Sequence, residues 1–144
     1  MTDNFARDVV EITQMIARLA GSADRAENLD EYAALWSPDA EVQFTANPAV
    51  GMEAATLRGH DEIRAATQSR RAARIQGTGS RSLHIVSNVV AHPRHGDFAS
   101  ATASSRYYRT NEGTPVLLGI GSYDDSFRRD DGRWLLQHRR FAVF

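Results

Sequence analysis

Apolar residues recur with helical spacing at the start of the chain and with strand spacing in its second half, and this change of period organises the sequence. Phe5, Val9, Ile12, Ile16 and Leu19 are spaced by four, three, four and three positions. That stripe predicts an amphipathic helix from about Asn4 to Arg25. Asn28 followed by Glu31 has the form of a capping box and predicts a second short helix carrying Leu29, Tyr32, Ala33, Leu35 and Trp36, stopped by Ser37-Pro38-Asp39. Glu41–Phe44 and Ala54–Leu57 are short extended segments joined through Pro48 and Gly51, most simply as a hairpin. From His60 to Ala73 a third helix is expected, with acids in its first turn and arginines in its last, where they cap its own dipole. Beyond it the period becomes two. Ser82–Val90, Phe98–Arg109, Val116–Arg129 and Trp134–Phe144 read as strands, the last three joined by the turns Thr110–Thr114 and Asp130-Asp-Gly132. Helices first and a strand meander afterwards indicate an α+β domain spanning residues 1–144, its helices on one side of a curved, mostly antiparallel sheet.

The strand Ser82–Val90 carries the first candidate chemistry. Alternation puts Ser82, His84, Val86, Asn88 and Val90 on one face, so an imidazole and an amide share a side. Facing a closed cavity, His84 would be a candidate base and Asn88 a candidate donor. Asp24, near the C-terminal end of the first helix, sits where the helix dipole disfavours a carboxylate, and its presence asks for a reason. On the last strand Arg139, Phe141 and Val143 share a face, while Trp134, Leu136 and Phe144 fall on the other and leave apolar area for a second copy to cover.

Composition narrows the chemistry. All 17 basic residues are arginine and cysteine is absent, which excludes Schiff-base catalysis by a side-chain amine, thiolate catalysis, disulfides and thiolate metal sites. A net charge of −1 argues against nucleic acid or an anionic membrane as the main partner. The N-terminal residues lack an apolar signal region and no run approaches the ~20 apolar residues of a membrane span, so a soluble cytoplasmic location is expected. His92 and His95 are close in sequence, but without an acidic cluster beyond Asp97 they read as a polar turn, and no metal is expected. Asp124-Asp125 and Asp130-Asp131, interleaved with Arg128, Arg129 and Arg133, read as surface ion pairs. Arg70-Arg71 and Arg74 give no reason to propose a phosphate site.

The order of elements, together with Ala23-Asp24-Arg25, Leu35-Trp36-Ser37-Pro38-Asp39-Ala40, Arg58-Gly59-His60-Asp61-Glu62-Ile63, His84 with Asn88, and Asp131-Gly132-Arg133-Trp134 running into His138-Arg139-Arg140, resembles the SnoaL-like branch of the nuclear transport factor 2-like superfamily. That resemblance covers nearly the whole chain and implies an α+β cone around a deep pocket. The superfamily includes dehydratases, isomerases, cyclases, epoxide hydrolases and non-catalytic subunits, and fold alone does not choose among them. Ketosteroid isomerase-like members carry a basic aspartate where the nearest match here is Phe44, so that pattern fails at its essential group. Scytalone dehydratase-like, bile acid dehydratase-like and dehydrochlorinase-like members pair an aspartate ending the first helix with a mid-chain strand histidine, and these match Asp24 and His84. The dehydrochlorinase-like pocket arginine matches Arg139; the lysine of that pattern's first helix is absent. Scytalone dehydratase-like tyrosines beside the aspartate are replaced by Ser22 and Ala23, and Arg106–Arg109 hold no second histidine.

The resemblance implies a lyase without a cofactor, most simply a dehydratase acting on a hydroxylated cyclic or polycyclic carbonyl compound, with Asp24 and His84 as the catalytic dyad. Asn88, a tyrosine hydroxyl or Arg139 would meet the developing negative charge. Tyr32, Trp36, Phe44, Tyr107, Tyr123, Phe141 and Val143 are candidate pocket walls. The alternatives are an isomerase or cyclase using the same pocket, or a non-catalytic binding subunit resembling the β chain of ring-hydroxylating dioxygenases. A homodimer or homotrimer is implied as well.

Overall fold

A computed structural model describes residues 2–94 and 96–144. Helix α1 (Thr2–Arg25) and the short α2 (Leu29–Ala33) lead into strand β1 (Trp36–Phe44), a 3-10 turn (Pro48–Val50), β2 (Ala55–Arg58) and α3 (Gly59–Ala72). Four longer strands follow: β3 (Ser82–Pro93), β4 (Phe98–Asn111), β5 (Thr114–Asp130) and β6 (Arg133–Val143). They form one open six-stranded sheet in the order β2-β1-β6-β5-β4-β3. Only the β1–β6 pairing is parallel. The fold is the α+β cone, with three helices on a curved mixed sheet.

The core lies between α1 and the concave face of the sheet. Ile12, Met15, Ile16 and Leu19 of α1 meet Ala99, Ala101 and Ala103 of β4 and Phe127 of β5, all at most 7% exposed. Alanines at alternate positions of β4 leave the depth that a helix needs to approach the sheet. Phe5, expected on this stripe, is instead 56% exposed, because α1 runs past the region of the core that buries Ile12 to Leu19.

Two expectations are corrected where α2 meets the sheet. Helix α2 ends at Ala33, and Trp36 opens β1 opposite Leu136 of β6 rather than ending the helix. The residue before a proline is pushed toward extended backbone, here Ser37 before Pro38, and the Leu136 N–H donates to the Leu35 carbonyl, which draws the chain into the sheet early. Asn28 does cap α2, accepting from the Asp30 N–H at 2.8 Å.

Register breaks curve the sheet and reverse side-chain parity. In β3, Ser87 lies opposite Ser104 and Val90 opposite Thr102, so Asn88 and Val89 together oppose one residue. This is a β-bulge, with Asn88 at φ +54°. In β6, His138 pairs with Ser126 and Leu136 with Phe127, which leaves Gln137 as the extra residue. The second bulge overturns the outward assignment of Trp134 and Leu136: both are buried, at 4% and 0% exposure, on the same side as Arg139. Phe144 is exposed as expected, and the other apolar side chains left on the surface of the sheet are Leu83, Ile85, Val90, Phe98, Val116, Leu117 and Ile120. No described helix is long and apolar enough to cross a membrane.

Candidate active site

Between the helices and the sheet lies a cavity of about 120 Å³, room for about four waters at ~30 Å³ each. Its walls include Tyr32, Trp36, Phe44, His84, Tyr107, Tyr123, Arg139, Phe141 and Val143. Every wall residue expected from the sequence is therefore brought to one place except Asn88. The bulge turns Asn88 outward, where it is exposed, and Val89 takes the inward position beside the core. Asn88 is thus not a pocket donor.

Asp24 lies behind His84. Its Oδ1 is 2.6 Å from His84 Nδ1 and its Oδ2 accepts the His84 backbone N–H at 2.7 Å. Both carboxylate oxygens are committed to one residue, and Asp24 is only 3% exposed. A carboxylate accepts only, so in the neutral ring Nδ1 carries the proton and Nε2 keeps its lone pair. The ring of His84 rests 4.9 Å from that of Tyr107, which fixes its plane.

Position 24 at a helix C-terminus is also explained. Arg71, expected to cap its own helix, reaches across to α1 and donates to the carbonyls of Ala26 at 2.6 Å, Ser22 at 3.1 Å and Ala23 at 3.2 Å. A guanidinium over these terminal carbonyls offsets the negative end of the α1 dipole just where Asp24 adds charge. Gly77 makes room for it: a Cβ there would lie 2.6 Å from Arg71 Cγ, and φ at Gly77 is +90°.

The remaining polar groups are mostly spent on one another. Arg139 donates from Nε and Nη2 to Asp125 at 2.8 and 2.7 Å, and stacks on Tyr123 with Cζ 3.8 Å from the ring centroid. Burial alone would lower the Arg139 pKa, but the Asp125 charge and its two hydrogen bonds outweigh burial and raise it. Asp125, read from sequence as part of a surface ion pair, is 1% exposed. Its signal was parity, since it shares a strand face with Tyr123 and Phe127, directly opposite Arg139. Tyr107 donates to the Ile75 carbonyl and Tyr123 to Ser105 Oγ at 3.2 Å; burial raises the Tyr123 pKa. Tyr32 lines the cavity, and its hydroxyl makes no hydrogen bond to another described residue.

Sequence reasoning missed Arg70 and Gln76, both in the cavity wall. Arg70 was legible in principle, because it follows Ile63 and Thr67, both buried, at helical spacing on α3. His92 is exposed, and His95 lies outside the described residues.

Comparison with known proteins agrees with this architecture. A family model described as a SnoaL-like domain matches residues 5–140. The chain belongs to the SnoaL-like family. No curated protein sequence matches it. Among solved structures this SnoaL-like chain is similar to a protein of unknown function from Mycobacterium tuberculosis, at 18% identity and TM-score 0.77, over 94% of this chain and 70% of that one. It is also similar to a proposed scytalone dehydratase from Novosphingobium aromaticivorans, at 21% identity and TM-score 0.73, over 100% and 89% of the two chains. The β subunit of a proposed aromatic-ring-hydroxylating dioxygenase from the same organism matches at 19% identity and TM-score 0.74, over 96% and 90%. At these identities the likeness is one of fold.

Proposed function

We propose that this SnoaL-like protein is a cofactor-independent lyase, a dehydratase of a hydroxylated cyclic carbonyl compound, with His84 as base and acid and Asp24 as its positioning partner. The observation that carries the reading is the two-point grip of Asp24 on His84, which leaves Nε2 as the unprotonated nitrogen beside a largely apolar cavity. In the elimination, Nε2 takes the proton on the carbon next to the carbonyl, and the C–H electrons form the enolate. The enolate then collapses to expel the hydroxyl at the adjacent carbon, which leaves as water with the proton from Nε2. Asp24 stabilises the transient imidazolium between the two transfers. Of the groups expected to meet the enolate oxygen, Asn88 faces outward, Arg139 is paired, and the Tyr107 and Tyr123 hydroxyls are engaged. Tyr32 takes that role. An isomerase or cyclase would use the same dyad, with the proton returned to carbon or a ring bond formed in place of the lost hydroxyl.

The test is turnover and thermal stabilisation with a panel of hydroxylated cyclic ketones, comparing wild type with His84→Ala and Asp24→Ala. Loss of roughly 10²- to 10⁴-fold in rate with stabilisation retained supports the dyad. Turnover that persists in His84→Ala rules it out. Stabilisation without turnover in any protein favours the second reading, a binding or accessory subunit, to which the dioxygenase β-subunit likeness points. For the oligomer, the apolar sheet surface around Leu83, Ile85 and Ile120 is the face we assign to a second copy in a homodimer or homotrimer. Sedimentation of Ile85→Arg as a monomer, against an assembled wild type, would support this; an unchanged mass would refute it.

A further inference from the structure

The cavity holds a second polar centre that the dyad does not use. Arg70, from the last turns of α3, reaches the wall with its guanidinium carbon 5.9 Å from the centre of the Phe44 ring. Its Nε donates to Gln76 Oε1 at 3.3 Å and its Nη2 to Thr67 Oγ1 at 3.2 Å. Both acceptors are neutral and both bonds are long. Of the five N–H groups of a guanidinium, two are used, which leaves three, all on the terminal nitrogens. Arg70 forms no ion pair with a described carboxylate, and burial lowers its pKa against the weaker opposing effect of the Tyr32 and Tyr123 hydroxyls. Arg139 differs sharply, since Asp125 neutralises it in the same wall.

Gln76 supplies the independent observation. It is 6% exposed, lines the cavity, and its Nε2 is buried without a partner. The amide orientation follows from Arg70, because a guanidinium N–H requires the oxygen end and so turns the nitrogen end away. A buried amide nitrogen left unpaired is costly, and a half-buried arginine with no counter-charge beside it adds to that cost. Both groups are donors, and both residues line one cavity. One acceptor-only group answers them together.

We propose that Arg70 and Gln76 form an anion anchor, and that the natural ligand of the cavity is a cyclic compound bearing a carboxylate. Two carboxylate oxygens match the paired terminal nitrogens of a guanidinium, and the Gln76 N–H groups supply the further donor. A phosphate, with higher charge and more oxygens to satisfy, would find a single cation here. The anchor fixes one end of the ligand, and the apolar walls carry its ring toward His84. This deepens the dehydratase reading and rests on the same cavity being the ligand site, but its test does not need turnover.

The probes are 2-naphthoate and its neutral counterpart 2-naphthamide, titrated calorimetrically into wild type, Arg70→Met, Gln76→Glu and His84→Asn. Wild type should bind the carboxylate roughly 10- to 100-fold more tightly, the range for hydrogen bonds to a charged partner. Arg70→Met should abolish this preference while keeping the amide affinity. Gln76→Glu, nearly isosteric and with Arg70 in place, should abolish it as well by supplying an internal carboxylate. His84→Asn should keep it. Equal affinity for the two probes in wild type, no binding of either, or a preference that survives in both Arg70→Met and Gln76→Glu overturns the anchor. A preference that obeys these rules in a protein without turnover leaves the anchor standing and removes only the dehydratase reading.

Discussion

Replacing Asp125 by alanine while Arg139 remains is expected to be among the most destabilising single changes in this chain. The two residues are 1% and 8% exposed and joined by two hydrogen bonds of 2.7 and 2.8 Å. Removing one partner strands a guanidinium against Tyr123 and Trp36 without its counter-charge. Breaking a buried pair in this way costs about 3–5 kcal/mol. At roughly 2–4 °C per kcal/mol for a chain of this size, the melting temperature should fall by about 6–20 °C. The paired variant Asp125→Leu with Arg139→Met removes both charges and both desolvation costs, so it should recover most of the loss. Urea unfolding followed by circular dichroism, with the slope checked for constancy between variants, gives all three free energies. Because the pair is buried, the single-variant loss should change little with added salt. A cost below ~1 kcal/mol for Asp125→Ala, or a double variant as unstable as the sum of the two singles, would refute the account of Arg139 as a neutralised wall residue.

The Tyr123 hydroxyl predicts the alkaline limit of stability. Its pKa is raised in the fold from 10.0 by burial, so its contribution is intact below pH 10 and is lost as pH climbs toward the folded value, where only the unfolded chain ionises freely. Ultraviolet titration should show at least one tyrosine, Tyr123, ionising only with unfolding; Tyr123→Phe should remove that step, and a titration of the folded protein unchanged by Tyr123→Phe above pH 10 would contradict this. At the β3 bulge, Asn88→Val should cost about 1–2 kcal/mol because a branched side chain resists positive φ, whereas Asn88→Gly should be nearly neutral. Neither should alter ligand affinity, and a change in affinity with Asn88→Gly would return that residue to the pocket.

Much of this architecture was legible because burial imposes periods on the sequence. The α1 stripe from Ile12 to Leu19, the alternation of β4 and β5, and the dipole charges of α3 all report local geometry that neighbouring residues determine together. Asp24 and His84 were legible from resemblance and from the anomaly of an acid at a helix C-terminus. What failed was parity across a break. Asn88, Trp134 and Leu136 were assigned to the wrong face because a bulge adds one residue without a distinctive sequence mark, Asn88 being only a weak hint through its tolerance of positive φ. Asp125 and Arg70 were hidden for another reason. Charged residues are usually solvated, and only their phase with Phe127 in one case and Ile63 in the other distinguishes them from surface charge.

The bulge at Asn88 makes β3 a message read in two frames. Upstream, even-numbered positions answer to the ligand; downstream, odd-numbered ones answer to helix α1. Each half can accumulate substitutions under its own selection, since a change in one does not rewrite the other. Loss of that single codon would be another matter. It would merge the frames into one alternation in which His84 and Val86 share the inward face with Val89 and Ala91, so related genes that shorten this strand by one residue at the bulge should be found to have kept the histidine on a straighter strand.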